Sequence, residues 1–520
     1  MIVVIATFSG LYTAVRGLYV SQASESVTTD NISNANTVGY SRQTVNQTAV
    51  GPAATYTSTL QLGNGAQINS VDRVRNFRLD QKYWQENGTD GEWTSKSNYL
   101  TELEAVLNDS STSDSDFASV MDDFTSALSD LSDDPSSSAA RTSVRETGEA
   151  VANYLNSTAE NLSDLRSDVN GDIKTTVSEI NSYGKQIADL NKQITLAAAS
   201  GANVNSLEDQ RDALVDKLSN LTSVQVTETV VGKSATGADV KTLNVNVDGG
   251  TLVSGNDARQ LECYEVTSGS QAGMYGIRWQ DTQGEYSPTG GQLGGLLDLR
   301  DGTGTGSEYK GIPYYTSQLD DFARTFAEAF NEGVYKNDTA SGYGGHAGGE
   351  GADDSTGIRF FSYDGKSSTD LMNGATTTSD IDAVYQNITA ANISLSSDVT
   401  DDLDKIATAS TSGGSDNNEN ILNLISICSD SKMFDNGTPI DFMNSMISTL
   451  GTDSDYAGKQ SDSQASFLKN IDDRRTSVSG VSVNEETANL TIYQQAYTAS
   501  AKAVSMWDEI YQETISMVND

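Results

Sequence analysis

The stretch that decides the fold is Ser479–Asp520, SGVSVNEETANLTIYQQAYTASAKAVSMWDEIYQETISMVND. Its large residues follow a seven-residue grid that is interrupted at Ser500 and Thr514. The grid residues are Leu490, Tyr493, Tyr497, Val504, Trp507, Tyr511 and Val518. A second stripe, also spaced by seven, consists of Ala496, Ala503, Ile510 and Met517. This repeat predicts a helix about 45 Å long that packs on other helices.

The opposite end of the sequence carries a shorter stripe of the same kind. Its members follow one another at steps of four and three, which predicts an amphipathic helix. They are Val4, Phe8, Leu11, Val15 and Leu18. After Ser21 the stripe weakens, and residues 30–40 read DNISNANTVGY. Asn, Asp, Ser and Gly favour turns, so this segment predicts a turn followed by extended chain.

Between the two ends, a long helical hairpin is the main predicted feature. From Trp93 the apolar spacing is helical, and no proline occurs between Pro135 and Pro288, so one very long helix is allowed there. Residues 198–205 contain Gly and Asn and predict the turn of the hairpin. Ser206, with Asp209 three residues later, predicts a capping box for the returning helix.

Beyond the hairpin the apolar period changes from helical to two. Val224, Val226, Val245 and Val247 alternate with polar residues, and Asp248-Gly249-Gly250 is a hairpin signal. The fold class is therefore multidomain and mainly α, with long helical hairpins, terminal coiled-coil helices and a β-rich inserted outer region. The predicted segments are an N-terminal helix plus extended chain (1–80), helices (81–222), the β-rich insertion (223–300), a returning helix (301–336), a small variable insertion (337–400), further helices (401–478) and the C-terminal helix (479–520).

The charge of the chain excludes several classes of partner. The 520 residues carry 32 basic and 72 acidic side chains, a formal charge of −40. Such a surface repels phosphate backbones and anionic headgroups, so we expect neither nucleic acid nor membrane as a partner. Residues 1–80 are close to neutral, with five arginines against four acidic residues. A neutral end on an acidic body suggests an end that is covered by something else.

Few residues are available for chemistry. Cys263 and Cys428 form no motif, and His346 is the one histidine, so we expect no metal site and no imidazole-based catalysis. Gly-rich stretches such as Gly342–Gly351 lack the Lys-Ser/Thr of a phosphate loop. Acidic clusters such as Asp353-Asp354 lack calcium-loop spacing and are interpreted as solvated surface. No cofactor and no catalytic residue are predicted.

The N-terminal residues and the apolar stretches were compared with the patterns of signal peptides and membrane spans. The opening MIVVIATFSG has a five-residue apolar run with no basic residue before it, which does not match a cleaved secretory signal. No stretch approaches the roughly 20 apolar residues of a membrane span. We therefore expect no cleaved signal, while export by an uncleaved route stays open.

The two terminal stripes admit two interpretations. An apolar helical stripe is usually ordinary core. Here the stripes lie at both ends, repeat every seven residues and, in the second, carry aromatic residues with polar tips, which partner interfaces favour. Packing between subunits is thus at least as well supported as packing within one.

A family resemblance appears in residues 9–44, SGLYTAVRGLYVSQASESVTTDNISNANTVGYSRQT. This segment resembles the N-terminal signature of bacterial flagellar rod, hook and hook-associated proteins: a helix opening with Gly-Leu, then Asn-Asn-Ile-Ser/Ala-Asn, then Gly-Tyr. Asp30 stands where the family usually has Asn. The matching signature residues are Asn31, Ile32, Ser33, Asn34, Gly39 and Tyr40.

Further blocks resemble the hook-associated branch of that family. They are LEDQRDALVDKLSNL (Leu207–Leu221), GGQLGGLLDLRD (Gly290–Asp301), LDDFARTFAEAFNEG (Leu319–Gly333) and SGVSVNEETANLTIYQQAYTASAKAV (Ser479–Val504). The resemblance implies a structural subunit of the junction between hook and filament, with terminal helices lining an inner tube and β-rich domains outside. It implies export through the flagellar type III apparatus. The implied partners are further copies of the chain, the hook protein, a second hook-associated junction protein and an export chaperone on the C-terminal helix.

Two alternatives remain at this stage. One is another axial protein such as the hook subunit. The other is an extracellular enzyme or an adhesin carried by the β-rich insertion.

Overall fold

The structure, a computed structural model, describes residues 2–51, 63–107, 116–234, 237, 239–335, 339–340, 342–375, 377–410 and 416–519. Of residues 2–9, 339–340, 378–379 and 518–519 it describes the backbone alone. The side chains of Val4, Phe8 and Val518, three of the predicted packing residues, therefore lie outside the described part.

The N-terminal half consists of one hairpin of strands and a series of long helices. In chain order these are α1 (Ile2–Ser33), β1 (Gln43–Ala49), β2 (Ala66–Arg73), α2 (Phe77–Leu107), α3 (Phe117–Asp133), α4 (Ser138–Ala199) and α5 (Asn205–Leu221). Helix α1 runs to Ser33, so the turn predicted over 30–40 begins only at Asn34. The first terminal helix, with 32 residues, is thus nearly as long as the last, with 37, although the apolar stripe in its sequence is short.

Helix α4 and helix α5 form the predicted hairpin. Helix α4 is continuous for 62 residues, about 93 Å, and α5 packs back along it. The predicted capping box at Ser206 and Asp209 is wrong: α5 begins at Asn205 without a side-chain cap. The Asp209 carboxylate is instead used by Ser41, whose backbone N–H and hydroxyl both donate to it, at 3.0 and 2.7 Å.

The β-rich region follows α5 and lies against α4. An antiparallel sheet has the order β3 (Val224–Lys233), β4 (Asp239–Val247), β5 (Gly250–Ser254), β6 (Asp257–Ala258). A separate hairpin pairs β7 (Leu261–Glu265) with β8 (Tyr275–Trp279). The strands stop before the predicted limit of this region, because residues 291–301 form helix α6 (Gly291–Asp301). Its Gly295 allows close packing on α2, since a Cβ there would lie 2.7 Å from the Glu92 carbonyl oxygen.

Asparagine side chains fasten the outer strands to α4. Asn181 donates to the Leu261 carbonyl oxygen at 2.7 Å and accepts from the Leu261 N–H at 2.8 Å. Asn191 donates to the carbonyl oxygens of Leu243 and Gly255, at 2.8 and 2.7 Å. An amide that both donates and accepts satisfies strand edges that a leucine at the same position would leave unpaired.

The C-terminal half returns along the same body. Its elements are α7 (Ile312–Glu332), β9 (Val334–Tyr335), β10 (Thr339–Ala340), a 3₁₀ turn (His346–Gly348), β11 (Phe361–Tyr363), α8 (Ser368–Met372), α9 (Thr378–Tyr385), β12 (Ile393–Leu395), α10 (Ser397–Asp401), a second 3₁₀ turn (Leu403–Lys405), α11 (Glu419–Cys428), α12 (Pro439–Ser479) and α13 (Val483–Asn519). The predicted variable insertion is joined to the body by a buried aromatic cluster. Its members are Phe117, Phe124, Phe322, Phe326, Phe330, Phe360, Phe361 and Phe434.

The chain's one histidine belongs to this packed region. His346 is fully buried; its Nδ1 lies 2.7 Å from the Ile358 carbonyl oxygen, and its Nε2 accepts the Ala407 N–H at 3.0 Å. Both ring nitrogens are satisfied only in the neutral ring with the proton on Nδ1, because a second proton would face the Ala407 N–H. Burial lowers the pKa of His346 to about 4.

We predict a stability change that follows from this histidine. Since its folded-state pKa lies below the unfolded value of about 6.5, stability is lost as pH falls from about 6.5 to 4, by up to about 1.4 kcal/mol per pH unit. Urea unfolding at pH 6.5 and pH 4.5 should show a larger loss for the natural chain than for His346→Gln. The single histidine resonance in NMR should titrate near pH 4. A midpoint near 6.5, with no difference between the two chains, would contradict this assignment.

Candidate assembly surface of the terminal helices

Helices α1 and α13 pack against each other in antiparallel orientation. Gly10 faces Trp507 so closely that a Cβ on Gly10 would overlap the indole ring. One heptad further, a Cβ on Gly17 would lie 3.1 Å from the Ser500 Oγ. At the other end, Asn31 Nδ2 donates to Glu486 Oε2 at 3.2 Å. The two ends of the sequence are therefore brought together along most of their length.

The predicted C-terminal grid faces α1 in large part. Leu490, Tyr493, Val504, Trp507 and Tyr511 are half-buried, and the rings of Trp507 and Tyr511 are stacked with their centroids 6.1 Å apart. Tyr497 is at the edge of the contact, with 36% of its surface exposed. The gap in the grid at Ser500 is the position that meets Gly17. Among the predicted N-terminal residues with described side chains, Leu11, Val15 and Leu18 are all half-buried.

The buried face of α1 beyond Leu18 is mostly polar and was not predicted. Ser24, Thr28 and Asn31 are each at most 5% exposed, although they interrupt the apolar stripe. Small hydroxyl-bearing residues allow the two helix backbones to approach closely. The sequence did contain a signal for this face, because Gly10, Gly17, Ser24 and Asn31 are spaced by seven.

Large apolar side chains are exposed on both helices of the pair. Single exposed apolar residues are ordinary, but several on one face of a helix indicate a surface that contacts a partner. On α1 the exposed fractions are 65% for Tyr12 and 62% for Tyr19. On α13 the exposed apolar residues include Ile492, Met506, Ile510 and Met517, which lie within about 40° of one another around the helix axis, and Ile515 on another side.

The signature residues lie where the helix pair meets the body. The buried Asn31 side chain donates to the Gln43 carbonyl oxygen and accepts from the Gln43 N–H, both at 2.9 Å. The Tyr40 hydroxyl donates to Asn31 Oδ1 at 3.0 Å, and Gly39 allows the turn through a positive φ of 83°. Asn205 of α5 then donates to Gln43 Oε1 at 2.8 Å. The signature thus connects α1 to the helical hairpin.

The other signature positions shape the end of α1. Asn34 Nδ2 donates to the Asp30 carbonyl oxygen at 3.0 Å, and the Ser33 hydroxyl donates to the Thr29 carbonyl oxygen at 2.8 Å. Ile32 is half-buried. These residues end the helix and start the turn.

A buried arginine–aspartate network extends this connection. Arg73 bonds to Asp209 at 2.7 Å and to Asp212 at 2.9 Å, and Arg75 lies 3.1 Å from Asp212. The network ties β2 and α12 to α5 and α2. We call the following residues the arginine–aspartate network: Arg73, Arg75, Asp80, Asp209, Asp212, Asp216 and Arg475. It was not predicted, although Asp209, Asp212 and Asp216 are spaced by three and four, which places them on one face of α5.

Two carboxylates of this network, Asp212 and Asp216, have pKa values that shift in opposite directions. Burial raises the pKa of Asp212, but Arg211, Arg75 and Arg73 more than offset burial, so its pKa lies below its usual range. Burial raises the pKa of Asp216 above its usual range, against the opposing effect of Arg475. The ionised Asp212 is therefore the carboxylate on which the neighbouring guanidinium groups most depend.

The described residues contain no group of three or more His, Cys, Asp or Glu side chains arranged to hold a metal ion. Within the described helices, none is both long enough and apolar enough to cross a membrane. Burial raises the pKa of Cys428 to about 12, which keeps this thiol protonated and poorly reactive. The features that stand out are contact surfaces.

Comparisons with known proteins bear directly on these surfaces. Residues 11–40 match the family model of the flagella basal body rod protein, and residues 474–517 match that of the flagellar basal body rod FlgEFG protein C-terminal. Residues 100–349 match the flagellar hook-associated protein FlgK helical domain. Flagellar hook-associated protein 1 of Bacillus subtilis (strain 168) is 30% identical over 528 residues, 98% of each chain. The chain belongs to the flagellar hook-associated protein 1 family.

Other relatives of this hook-associated chain agree. Flagellar hook-associated protein 1 of Escherichia coli (strain K12) is 27% identical over 567 residues, 97% of this chain and 98% of that one. The solved flagellar hook junction protein FlgK from Burkholderia pseudomallei shares the fold, with a TM-score of 0.59 and 17% identity, over 77% of this chain and all of that one. The two rod-family matches coincide with α1 and its signature turn, and with α13.

We predict that removing one charge from the arginine–aspartate network destabilises this hook-associated chain. Asp212→Asn leaves Arg73, Arg75 and Arg211 with less compensation in a buried site, which should cost about 3–5 kcal/mol of unfolding free energy. Urea unfolding at pH 7 measures the loss. Asp189→Asn is the matched control, because Asp189 pairs with Lys185 on an exposed face of α4 and its loss should change little. Equal effects of the two substitutions would contradict this interpretation.

Proposed function

We propose that this chain is a structural subunit of the junction between hook and filament of the bacterial flagellum. It assembles through the α1–α13 pair and catalyses no reaction. The observation that carries the proposal is the apolar surface left exposed on both helices of that pair. The names of the relatives, hook-associated protein 1 and hook junction protein, support the location. The proposal includes export to the flagellum.

The energetics of the helix pair favour assembly. A two-helix pair has no enclosed core, and ordering each residue costs about 1–2 kcal/mol of backbone entropy. Burying Tyr12, Tyr19 or Met506 against a neighbour adds stabilisation of about 25 cal/mol per Å² of apolar surface. Contacts with neighbouring subunits therefore supply what one chain lacks, and the terminal helices are stabilised on joining the polymer.

The shape of the surface favours a tube over a closed dimer. Helix α1 exposes tyrosines, whereas α13 exposes Ile, Met and Tyr, so the two helices offer different surfaces to neighbours. Contacts between unlike surfaces are heterologous, and such contacts repeat into rings or helical tubes. We propose that the packing residues are the terminal stripes named from the sequence, together with the exposed apolar residues of the pair.

The proposed partners follow from the same surface. They are further copies of this chain, the hook protein on one side and a second hook-associated protein on the other. Before assembly, an export chaperone covers α13, whose largest packing partner in the described chain is α1. Nucleic acid and membranes are not among the proposed partners, in keeping with a formal charge of −40.

Absence of catalysis is part of the proposal. Both nitrogens of the one histidine are used in structural hydrogen bonds, and the thiol of Cys428 is buried. The outer β-rich region is packed on α4, to which Asn181 and Asn191 fasten its strands. No observation favours an enzyme or an adhesin in that region.

We predict that charging the outer face of α13 blocks assembly. The double substitution Ile492→Glu and Met506→Glu places carboxylates two heptads apart on one face of α13, at positions that are 59% and 53% exposed, so one chain should still fold. Burying these charges between subunits is unfavourable, and cells should lose motility and release filament subunits into the medium. Swimming assays and immunoblots of the medium give the readout.

The matched control is Thr498→Glu, which adds a charge at an exposed polar position of the same helix. It should retain most motility. If the double substitution swims normally while being present at natural levels, the apolar face of α13 is not an assembly surface.

A further inference from the structure

The seam between α1 and α13 has a strict seven-residue repeat on both helices. Gly10, Gly17 and Asn31 meet Trp507, Ser500 and Glu486, respectively. By the same spacing, Ser24 comes opposite Tyr493. Small residues on one helix thus face alternately large and small residues on the other.

The apolar part of this seam does not define one alignment. If α13 slid along α1 by one heptad, about 10.5 Å, Trp507 would come opposite Gly17 instead of Gly10. Both positions are glycines, so either accommodates the indole ring. Ser500 would then face Ser24, and Thr514 would face Gly10. In the slipped alignment, too, small residues of α1 lie opposite the seven-residue grid of α13. Packing alone therefore distinguishes the two alignments poorly.

The polar end of the seam differs sharply between the two alignments. In the structure the Asn31 amide and the Glu486 carboxylate, 1% and 4% exposed, are hydrogen-bonded to each other. After a one-heptad slide Asn31 would face Tyr493, and Glu486 would lie beyond the end of α1. A buried polar pair that is satisfied in only one alignment selects that alignment, as buried asparagines do in coiled coils.

We propose that the Asn31–Glu486 pair is the register-determining contact of the terminal helices. Two hydrogen bonds with Gln43 hold the Asn31 side chain in place, and Asn205 of the helical hairpin donates to Gln43. The register of α13 is therefore set relative to the helical hairpin as well as to α1. The register fixes which exposed side chains of α1 and α13 lie side by side. The inference concerns contacts within one chain and does not depend on the proposed junction role.

Disulfide trapping in the full-length chain tests this proposal. In a Cys263→Ser, Cys428→Ala background, Gly17→Cys with Ser500→Cys reports the observed register. Ser24→Cys with Ser500→Cys reports the slipped register, because a disulfide needs Cα atoms within about 7 Å and these positions are one heptad apart in the structure. Each pair is combined with Glu486→Leu or with Glu486→Gln. Glu486 is the better site for substitution, because Asn31 also contacts Gln43 and Tyr40.

We expect the chain with Glu486, and the Glu486→Gln variant that keeps a hydrogen-bonding group, to form the first disulfide at least tenfold faster than the second. In Glu486→Leu the second disulfide should form at a rate comparable with the first. Two results would overturn the proposal. One is a Glu486→Leu chain that still forms only the first disulfide. The other is a loss of both disulfides in that variant alone, which would show that the pair holds the helices together without selecting their register.

Discussion

The connection between the terminal helices and the body depends on the carboxylates of one short helix. Asp209 of α5 accepts hydrogen bonds from Ser41, next to the signature turn, and lies in an ion pair with Arg73 at the end of β2. Asp216 of the same helix bonds to Arg475, which lies four residues before Ser479, the last residue of α12. Both termini are therefore anchored to α5. This anchor acts together with the hydrogen bonds between Asn31 and Gln43 to hold the helix pair against the rest of the chain.

This arrangement separates two requirements that a polymer subunit has to meet. The body has its own buried core, with clustered aromatic side chains and strands fastened by asparagine side chains. The helix pair remains incomplete, because its outer faces carry Tyr12, Tyr19 and Met506 in contact with solvent. A stable body next to an incomplete pair is what stepwise addition of subunits requires, since each new subunit must present unsatisfied surface to the following one.

The sequence predicted the parts of this account that depend on repetition. The heptad grid from Leu490 to Tyr511 predicted α13 and its packing on a helix, and the apolar period predicted the α4–α5 hairpin. Residues whose role depends on a distant partner were not predicted. Asn31 and Ser33 have turn propensity, yet both lie in α1, where the Asn31 side chain is hydrogen-bonded to the backbone of Gln43. Gly10 and Gly17 carry no signal until Trp507 and Ser500 are placed against them.

The buried ion pairs could not be predicted from the sequence either. In a chain with 72 acidic residues, buried carboxylates are hard to recognise, and the burial of Asp209, Asp212 and Asp216 in ion pairs was not predicted. Their partners Arg73 and Arg475 are separated from them by more than a hundred residues, so only the folded chain reveals the pairing. Helix α6 was also missed, because residues up to 300 were assigned to the β-rich insertion, and the close contact of Gly295 with α2 is visible only in the folded chain.

Electron cryo-microscopy of isolated hook–filament junctions would show which surfaces of the subunits are in contact. We predict that α1 and α13 of each subunit form the innermost layer as an antiparallel pair, with Tyr12, Tyr19, Ile492 and Met506 buried against neighbouring subunits. The arginine–aspartate network should remain intact within each subunit. Junctions in which these side chains face an open lumen, while the β-rich region makes the contacts between subunits, would contradict this prediction.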